Sequence, residues 1–165
     1  MLQLNLLSLY IFSSIFCYGQ QKKNSVKFDN SILNIQYVYS SDDMDFYTAA
    51  GVKGNPPIAN MPIFAITTQN ATNESDSKNF VEFQKNNDVK KGATILKTAV
   101  QDTVIKGLRY YYMRINEIDN TTKQNQTNLY GFLFTNKKAI FFLGSDMGKH
   151  EYFNALLKTF YSMKL

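Results

Sequence analysis

The stretch Leu129-Tyr-Gly-Phe-Leu-Phe-Thr135, Asn136-Lys137, Ala139-Ile-Phe-Phe-Leu143 decides the fold of this chain. Its two apolar segments are rich in aromatic and β-branched residues, a composition typical of strands. The dipeptide between them predicts a two-residue hairpin, because Asn tolerates the left-handed conformation that such a turn requires. The first strand is apolar on both faces, with Tyr130, Phe132 and Phe134 opposed to Leu129 and Leu133. A strand of this kind is covered on both sides, so we expect the hairpin near the middle of a sheet.

An amphipathic helix follows the hairpin and closes the chain. Its apolar residues recur at a spacing of three to four, as expected for one buried helical stripe, and are Tyr152, Phe153, Leu156, Leu157, Phe160 and Met163. Ser145 or Asp146 is predicted to cap this helix. We therefore expect it to pack against the sheet.

The preceding part of the chain predicts further strands and one more helix. The predicted strands are Ile32–Tyr39, Met61–Thr68, Thr94–Val100 and Leu108–Ile118, and the helix is Lys78–Asn87, capped by Ser75 or Ser77. Segments 40–57 and 116–128 are predicted loops, the first for its glycines and prolines and the second for its polarity. The order predicts an α+β domain with a mainly antiparallel sheet flanked by helices.

This order resembles the PsbP-like family, which includes the photosystem II extrinsic protein and the Ran-binding Mog-type proteins. The resemblance covers Met61–Thr68, the helix around Phe80–Phe83, the strand Leu108–Ile118, Leu129–Leu143 and the closing Leu156-Leu-Lys-Thr-Phe160. It implies a three-layer α/β/α sandwich and a non-enzymatic role. No binding residue of the family is carried over to this chain.

Length and composition indicate one domain of ordinary size. The 165 residues are 44% apolar, and we assign residues 20–165 to a single domain. The net charge is +5, but the lysines are scattered, which argues against a nucleic-acid partner. We expect a monomer without a cofactor, whose partner is a protein or a small ligand.

The first 19 residues predict export. Residues 1–19 contain no charged side chain and include an apolar run of signal-peptide length, so cleavage before Gln20 would give an exported protein, periplasmic or secreted. Cys17 is the only cysteine, and the mature chain would therefore have none. An alternative reading makes Cys17 the acylated residue of a lipid-anchored envelope protein, which is the one way in which we expect a membrane to be involved.

The interleaved Arg109-Tyr-Tyr-Tyr-Met-Arg114 has the greatest potential for binding. Arg and Tyr on one strand can stack on aromatic or sugar rings or form an interface, although tyrosines also suit half-buried sheet positions. The predicted binding residues are Arg109, Tyr111 and Arg114, joined by the acidic cluster Asp42, Asp43 and Asp45 of the 40–57 loop. We therefore predict an exported, non-enzymatic binding or assembly-type protein that acts through its sheet face and loops.

Catalytic and metal sites find little support. His150 is the only histidine, and a single ligand makes no metal site, so no metal is expected. The alternative function is a secreted hydrolase using carboxylates such as Asp42, Asp43 or Glu82. That alternative requires those groups to meet in a concave pocket.

Overall fold

A computed structural model of the chain describes residues 26–41, 44–52, 62–70, 73–135, 138–147 and 152–164. The described part contains seven strands and two helices. In chain order they are β1 Leu33–Ser41, β2 Met44–Val52, β3 Ile63–Asn70, α1 Glu74–Lys90, β4 Ala93–Ile105, β5 Leu108–Asp119, β6 Asn125–Thr135, β7 Lys138–Asp146 and α2 Phe153–Tyr161.

The strands form one sheet in the order β1-β2-β3-β7-β6-β5-β4, and every described pair is antiparallel. The predicted hairpin is confirmed, because β6 and β7 pair from Thr127 opposite Asp146 to Thr135 opposite Lys138. The two strands are the fifth and fourth of the seven, near the middle of the sheet as predicted. Residues 136 and 137 themselves lie outside the described part.

The two helices pack on opposite faces of the sheet. Phe160 of α2 contacts Tyr110 and Phe142, and these three residues belong to the larger apolar cluster. Val81 of α1 belongs to a second cluster that contains Tyr111, Phe132 and Phe141. Because neighbouring strand residues point to opposite faces, the sheet has an α2 face and an α1 face. The α+β class and the packing of the closing helix on the sheet are both confirmed.

The loop predicted for residues 40–57 is wrong over its described part. β2 occupies positions 44–52 and pairs with β1 on one side and β3 on the other. Phe46, Tyr47 and Thr48 suit a strand, and Tyr47 stacks on Phe64 with ring centroids 5.0 Å apart. Gly51 lies near the end of β2, where it does not interrupt the pairing with β3.

The loop predicted for residues 116–128 is also wrong. β5 continues to Asp119 and β6 begins at Asn125, so the connection is a turn of five residues. The Asp119 side chain accepts hydrogen bonds from the Thr121 and Thr122 amides at 2.7 and 3.1 Å. The turn between β4 and β5 consists of residues 106 and 107, so Asp102 lies within β4.

Helix α1 begins earlier than predicted. The residue before it, Asn73, is the cap: its Oδ1 accepts the amide hydrogen of Asp76 at 2.9 Å. Ser75 and Ser77, the predicted caps, both lie inside the helix. An Asn cap followed by acidic residues in the first turn stabilises a helix start.

The start of the described part is joined to the end of the chain. Lys27 and Lys164 exchange two backbone hydrogen bonds of 2.8 and 2.9 Å, and Val26 is buried beside them. The predicted leader, residues 1–19 with Cys17, lies outside the described residues. Neither helix in the described ranges has the length and apolar character needed to cross a bilayer.

Candidate ligand-binding groove

Arg109, predicted as a binding residue, is held in a charged network. Its Nε and Nη2 donate to the carboxylate of Asp102 at 2.8 Å each, and Lys78 donates to the same carboxylate at 3.1 Å. Glu74 of α1 forms an ion pair with Arg109 as well. The hydrogen bond from Arg109 lowers the pKa of Asp102 to about 2. The charge of Arg109 is thus already matched within the protein.

Arg114 lies on the other face of the sheet. Its Nε donates to Asn116 at 3.3 Å, and its guanidinium centre stands 4.3 Å from the ring centroid of Phe153 in α2. Arg109 contacts α1, whereas Arg114 contacts α2. The two arginines therefore do not form one surface.

The tyrosines between them belong to the core. Tyr111 is 7% exposed and stacks on Phe132 with centroids 5.3 Å apart, and burial raises its pKa. Tyr110 and Tyr112 are buried on the α2 face, where both contact Phe160. The sheet positions explain the Tyr-rich stretch through packing.

The acidic cluster is only partly described. Asp45 lies in β2, is 4% exposed and pairs with Ile66 of β3. Burial raises the pKa of the adjacent Tyr47 to about 12, with the Asp45 charge as the next cause. Asp42, Asp43 and His150 lie outside the described residues. Across the described ranges, no group of three or more His, Cys, Asp or Glu could hold a metal ion.

The carboxylates considered for hydrolysis do not converge where they are described. Glu82 lies on α1 and forms an ion pair with Lys85 one turn further along. Asp45 shares its strand face with Tyr47, which stacks on Phe64 in the α2-face cluster. The sheet thus separates Asp45 from Glu82.

A groove opens where the first half of α1 crosses the ends of β3 and β7, and we call it the α1 groove. Its volume is about 410 Å³, within the range of small-molecule sites. The lining residues are Gln69, Asn70, Asp76, Ser77, Asn79, Phe80, Phe83 and Phe141. The rings of Phe80 and Phe141 are 4.3 Å apart and tilted by 49°, and Phe83 is 54% exposed. The groove therefore combines aromatic walls with neutral polar groups.

Ser77 is a buried lining residue of this groove, and its hydroxyl has no partner among the described residues. The residue is 1% exposed. A buried hydroxyl without a partner costs about 1–3 kcal/mol of stability. Such a group in a folded protein requires an explanation, and a bound ligand is one.

The apolar residues of the predicted helix Lys78–Asn87 were a signal for the groove. They are Phe80, Val81 and Phe83. A helix cannot direct three such closely spaced positions to one face, since successive residues are 100° apart at 3.6 residues per turn. In the structure only Val81 is fully buried, while Phe80 and Phe83 line the groove.

A buried polar cluster lies under the second half of α1. Tyr130 donates its hydroxyl hydrogen to Asp88 at 2.7 Å, and Asn128 donates to Glu117 at 2.8 Å. Gln126 also donates to Glu117. Burial raises the pKa of Glu117 and of Asp88, and it raises that of Tyr130 well above its usual range. None of these residues lines the α1 groove, so we assign the cluster to the core.

Comparison with known proteins adds no family. No protein-family model matches the sequence, and no curated protein matches it. Among solved structures, the chain is similar to the protein of unknown function PA94 from Pseudomonas aeruginosa, with 10% identical residues and a TM-score of 0.46. The similar part covers 76% of this chain and 95% of that one. A likeness at this level carries no argument about what this chain does.

Proposed function

We propose that this chain is a non-enzymatic binding protein and that the α1 groove is its ligand site. The observation that carries the proposal is Ser77, a buried residue that lines a groove of about 410 Å³ and whose Oγ has no partner in the described part of the chain. Proteins tolerate a destabilising polar group where function requires it. A ligand that hydrogen-bonds to this hydroxyl would remove the cost.

The aromatic walls supply the affinity in this proposal. Phe83 is 54% exposed, a high value for a ring of this size, and it stands one helical turn from Phe80. Small-molecule sites typically combine apolar walls with a few convergent polar groups. The α1 groove has both, which favours a small ligand held here over binding at the sheet-face residues Arg109 and Arg114.

Export and family membership are parts of the same proposal. The uncharged, apolar residues 1–19 support a cleaved leader, and they make the groove a site that operates outside the cytoplasm. A helix on each face of an antiparallel sheet supports the PsbP-like α/β/α sandwich. The resemblance to that family implies the same non-enzymatic role.

Titration of the ¹⁵N-labelled protein with 2-phenylethanol, followed by NMR, tests the groove. A probe of about nine non-hydrogen atoms at roughly 0.3 kcal/mol per atom should bind with a Kd on the order of 10 mM. We expect the shifted amides to cluster at Gln69, Ser77 and Phe80. Shifts scattered over the surface, or none at all, would refute the site.

Two serine variants sharpen this test. Ser77→Ala removes the buried hydroxyl and should weaken probe binding, while thermal stability stays the same or rises because an unpartnered polar atom is lost. Ser75→Ala is the matched control, because Ser75 lies on the same helix, is exposed and does not line the groove. A Ser77→Ala protein that is destabilised and binds normally would mean that the hydroxyl is structural.

A further inference from the structure

We propose that the α1 groove selects an organic cation, namely an ammonium group attached to a short apolar or aromatic body. The inference rests on the proposed function, since it names the ligand class of the same groove. It is drawn from three properties of the lining: its ring faces, its oxygen atoms and its charge.

The aromatic walls favour a cation. Three of the eight lining residues are phenylalanines, and the face of a phenyl ring carries partial negative charge. The contacting rings of Phe80 and Phe141 are tilted by 49°, and Phe141 is buried, so the partly buried Phe80 and the exposed Phe83 supply most of the accessible ring surface. Phe83 adds an exposed ring from the helix side. A cation within about 6 Å of such faces is attracted electrostatically.

The polar part of the lining offers acceptors. Every polar lining residue carries an oxygen that can accept a hydrogen bond, and these residues are Gln69, Asn70, Asp76, Ser77 and Asn79. An ammonium group has three donors and no acceptor, so this lining complements it. Ser77 and Asp76 are among these acceptors, and Asp76, which already interacts within the protein, is the one acidic residue of the lining.

The lining also lacks positive charge, although the whole chain carries a net charge of +5. None of the eight lining residues is Lys or Arg. Lys78, next to Ser77 in sequence, is directed away to Asp102 and to the ring of Tyr111. The lining residues themselves therefore place no cationic side chain against a bound cation.

Three probes with one aromatic body separate charge from shape. They are 2-phenylethylammonium, the neutral 2-phenylethanol and the anion phenylacetate, each titrated into the ¹⁵N-labelled mature chain at low salt and followed by NMR. We expect the ammonium to bind up to about fivefold more tightly than the alcohol, since a cation–π contact at an exposed site is worth up to roughly 1 kcal/mol. Phenylacetate should bind most weakly, and added salt should reduce the ammonium preference.

Two variants identify the source of the preference. Phe83→Leu keeps apolar bulk at an exposed position but removes the ring, and Asp76→Asn removes the charge while keeping an acceptor oxygen. Each should reduce the ratio of ammonium to alcohol affinity and leave alcohol binding nearly unchanged. Glu82→Gln is the control, because it removes a negative charge from the same helix outside the groove.

The outcomes separate the two proposals. Alcohol binding in the groove without an ammonium preference overturns the cation inference and leaves the ligand site standing. The same holds if phenylacetate, or methyl glucoside tested as a saccharide, binds more tightly than the ammonium. An ammonium preference that persists in both variants overturns the assignment to ring and carboxylate. Absence of binding by every probe overturns both proposals.

Discussion

Glu117→Gln should make the protein more stable at neutral and alkaline pH. Glu117 is 1% exposed, and its Oε2 has no hydrogen-bond partner among the described residues. Its Oε1 accepts hydrogen bonds from the amides of Gln126 and Asn128, which a glutamine oxygen can also accept. The substitution thus keeps both hydrogen bonds and removes an ionisable group from a dry site.

The sign follows from the raised pKa of Glu117. Burial is the main cause, and the nearby Asp88 and Asp119 charges act in the same direction, against the hydrogen bonds from Gln126 and Asn128. Between the unfolded and folded pKa values the folded chain binds more protons, so stability falls as pH rises through that window. Each pKa unit corresponds to about 1.4 kcal/mol. Ionised Glu117 is therefore a cost that the variant lacks.

The magnitude follows from the charge that is removed. At pH 8 the wild-type chain loses about 1.4 kcal/mol for each unit by which burial raises the pKa of Glu117, and Glu117→Gln should recover that amount. At pH 4 the wild-type carboxyl is largely protonated, so the difference should shrink towards zero. Urea unfolding at pH 4, 6 and 8 measures the difference in stability between the variant and the wild type at each pH, because the midpoint shifts with stability.

Glu82→Gln alters a surface ion pair with Lys85 and should change stability by less than about 1 kcal/mol at any pH. A Glu117→Gln protein that is less stable at pH 8, or whose difference from wild type does not vary with pH, would contradict a carboxyl destabilised by burial.

Four further results are expected. Gly131→Ala should lower the free energy of unfolding in urea by about 3 kcal/mol, because its Cβ would lie 2.7 Å from a main-chain oxygen of β5. Gly107→Ala has open space around its Cβ but a φ of +78°, so it should cost about 1–2 kcal/mol. Equal losses in the two variants would contradict this reasoning. Asp102 contributes stability that is present above its unfolded pKa and lost as pH falls towards about 2; in Arg109→Ala, NMR titration should show that pKa returning towards 3.8, and an unchanged value would refute the pairing. Amino-terminal sequencing of the exported protein should begin at Gln20, whereas an acylated cysteine would show the lipid-anchored alternative. Hydrogen exchange should be faster in α1 than in α2, and the reverse order would contradict the difference in burial.

The sequence predicted those strands and helices whose apolar residues follow a regular pattern and are buried in the structure. The β6–β7 hairpin was found because both faces of its strands are apolar, and α2 because its stripe is regular. The pattern failed for β2, whose glycine and neighbouring prolines suggested a loop. It also failed for the ends of β5 and β6, where Glu117, Thr127 and Asn128 are polar and yet buried. Cross-strand partners satisfy much of that polarity, and the identity of partners is a tertiary property.

The α1 groove was beyond such prediction for a related reason. Its lining comes from the end of β3, from β7 and from the first half of α1. Only the sheet order, in which β3 pairs with β7, brings Gln69 and Phe141 beside the helix. The sequence indicated that Phe80, Val81 and Phe83 were apolar. It did not indicate that Val81 lies in the core while the two phenylalanines line the groove. Arg109 and Arg114 are close in sequence, but they lie on opposite faces of the sheet because strand residues alternate between the two faces.

The contrast between the two helices is consistent with the ligand site that we propose beside α1. Helix α2 buries five of its nine residues, whereas α1 buries two of seventeen, and one of those two is Ser77. A helix with few buried apolar contacts has a low local stability, and mobile binding elements are drawn from regions of low local stability. Binding in the groove would add contacts where α1 has few and a partner for a hydroxyl that has none in the described chain. The stability that α1 lacks alone is therefore the stability that a ligand can supply.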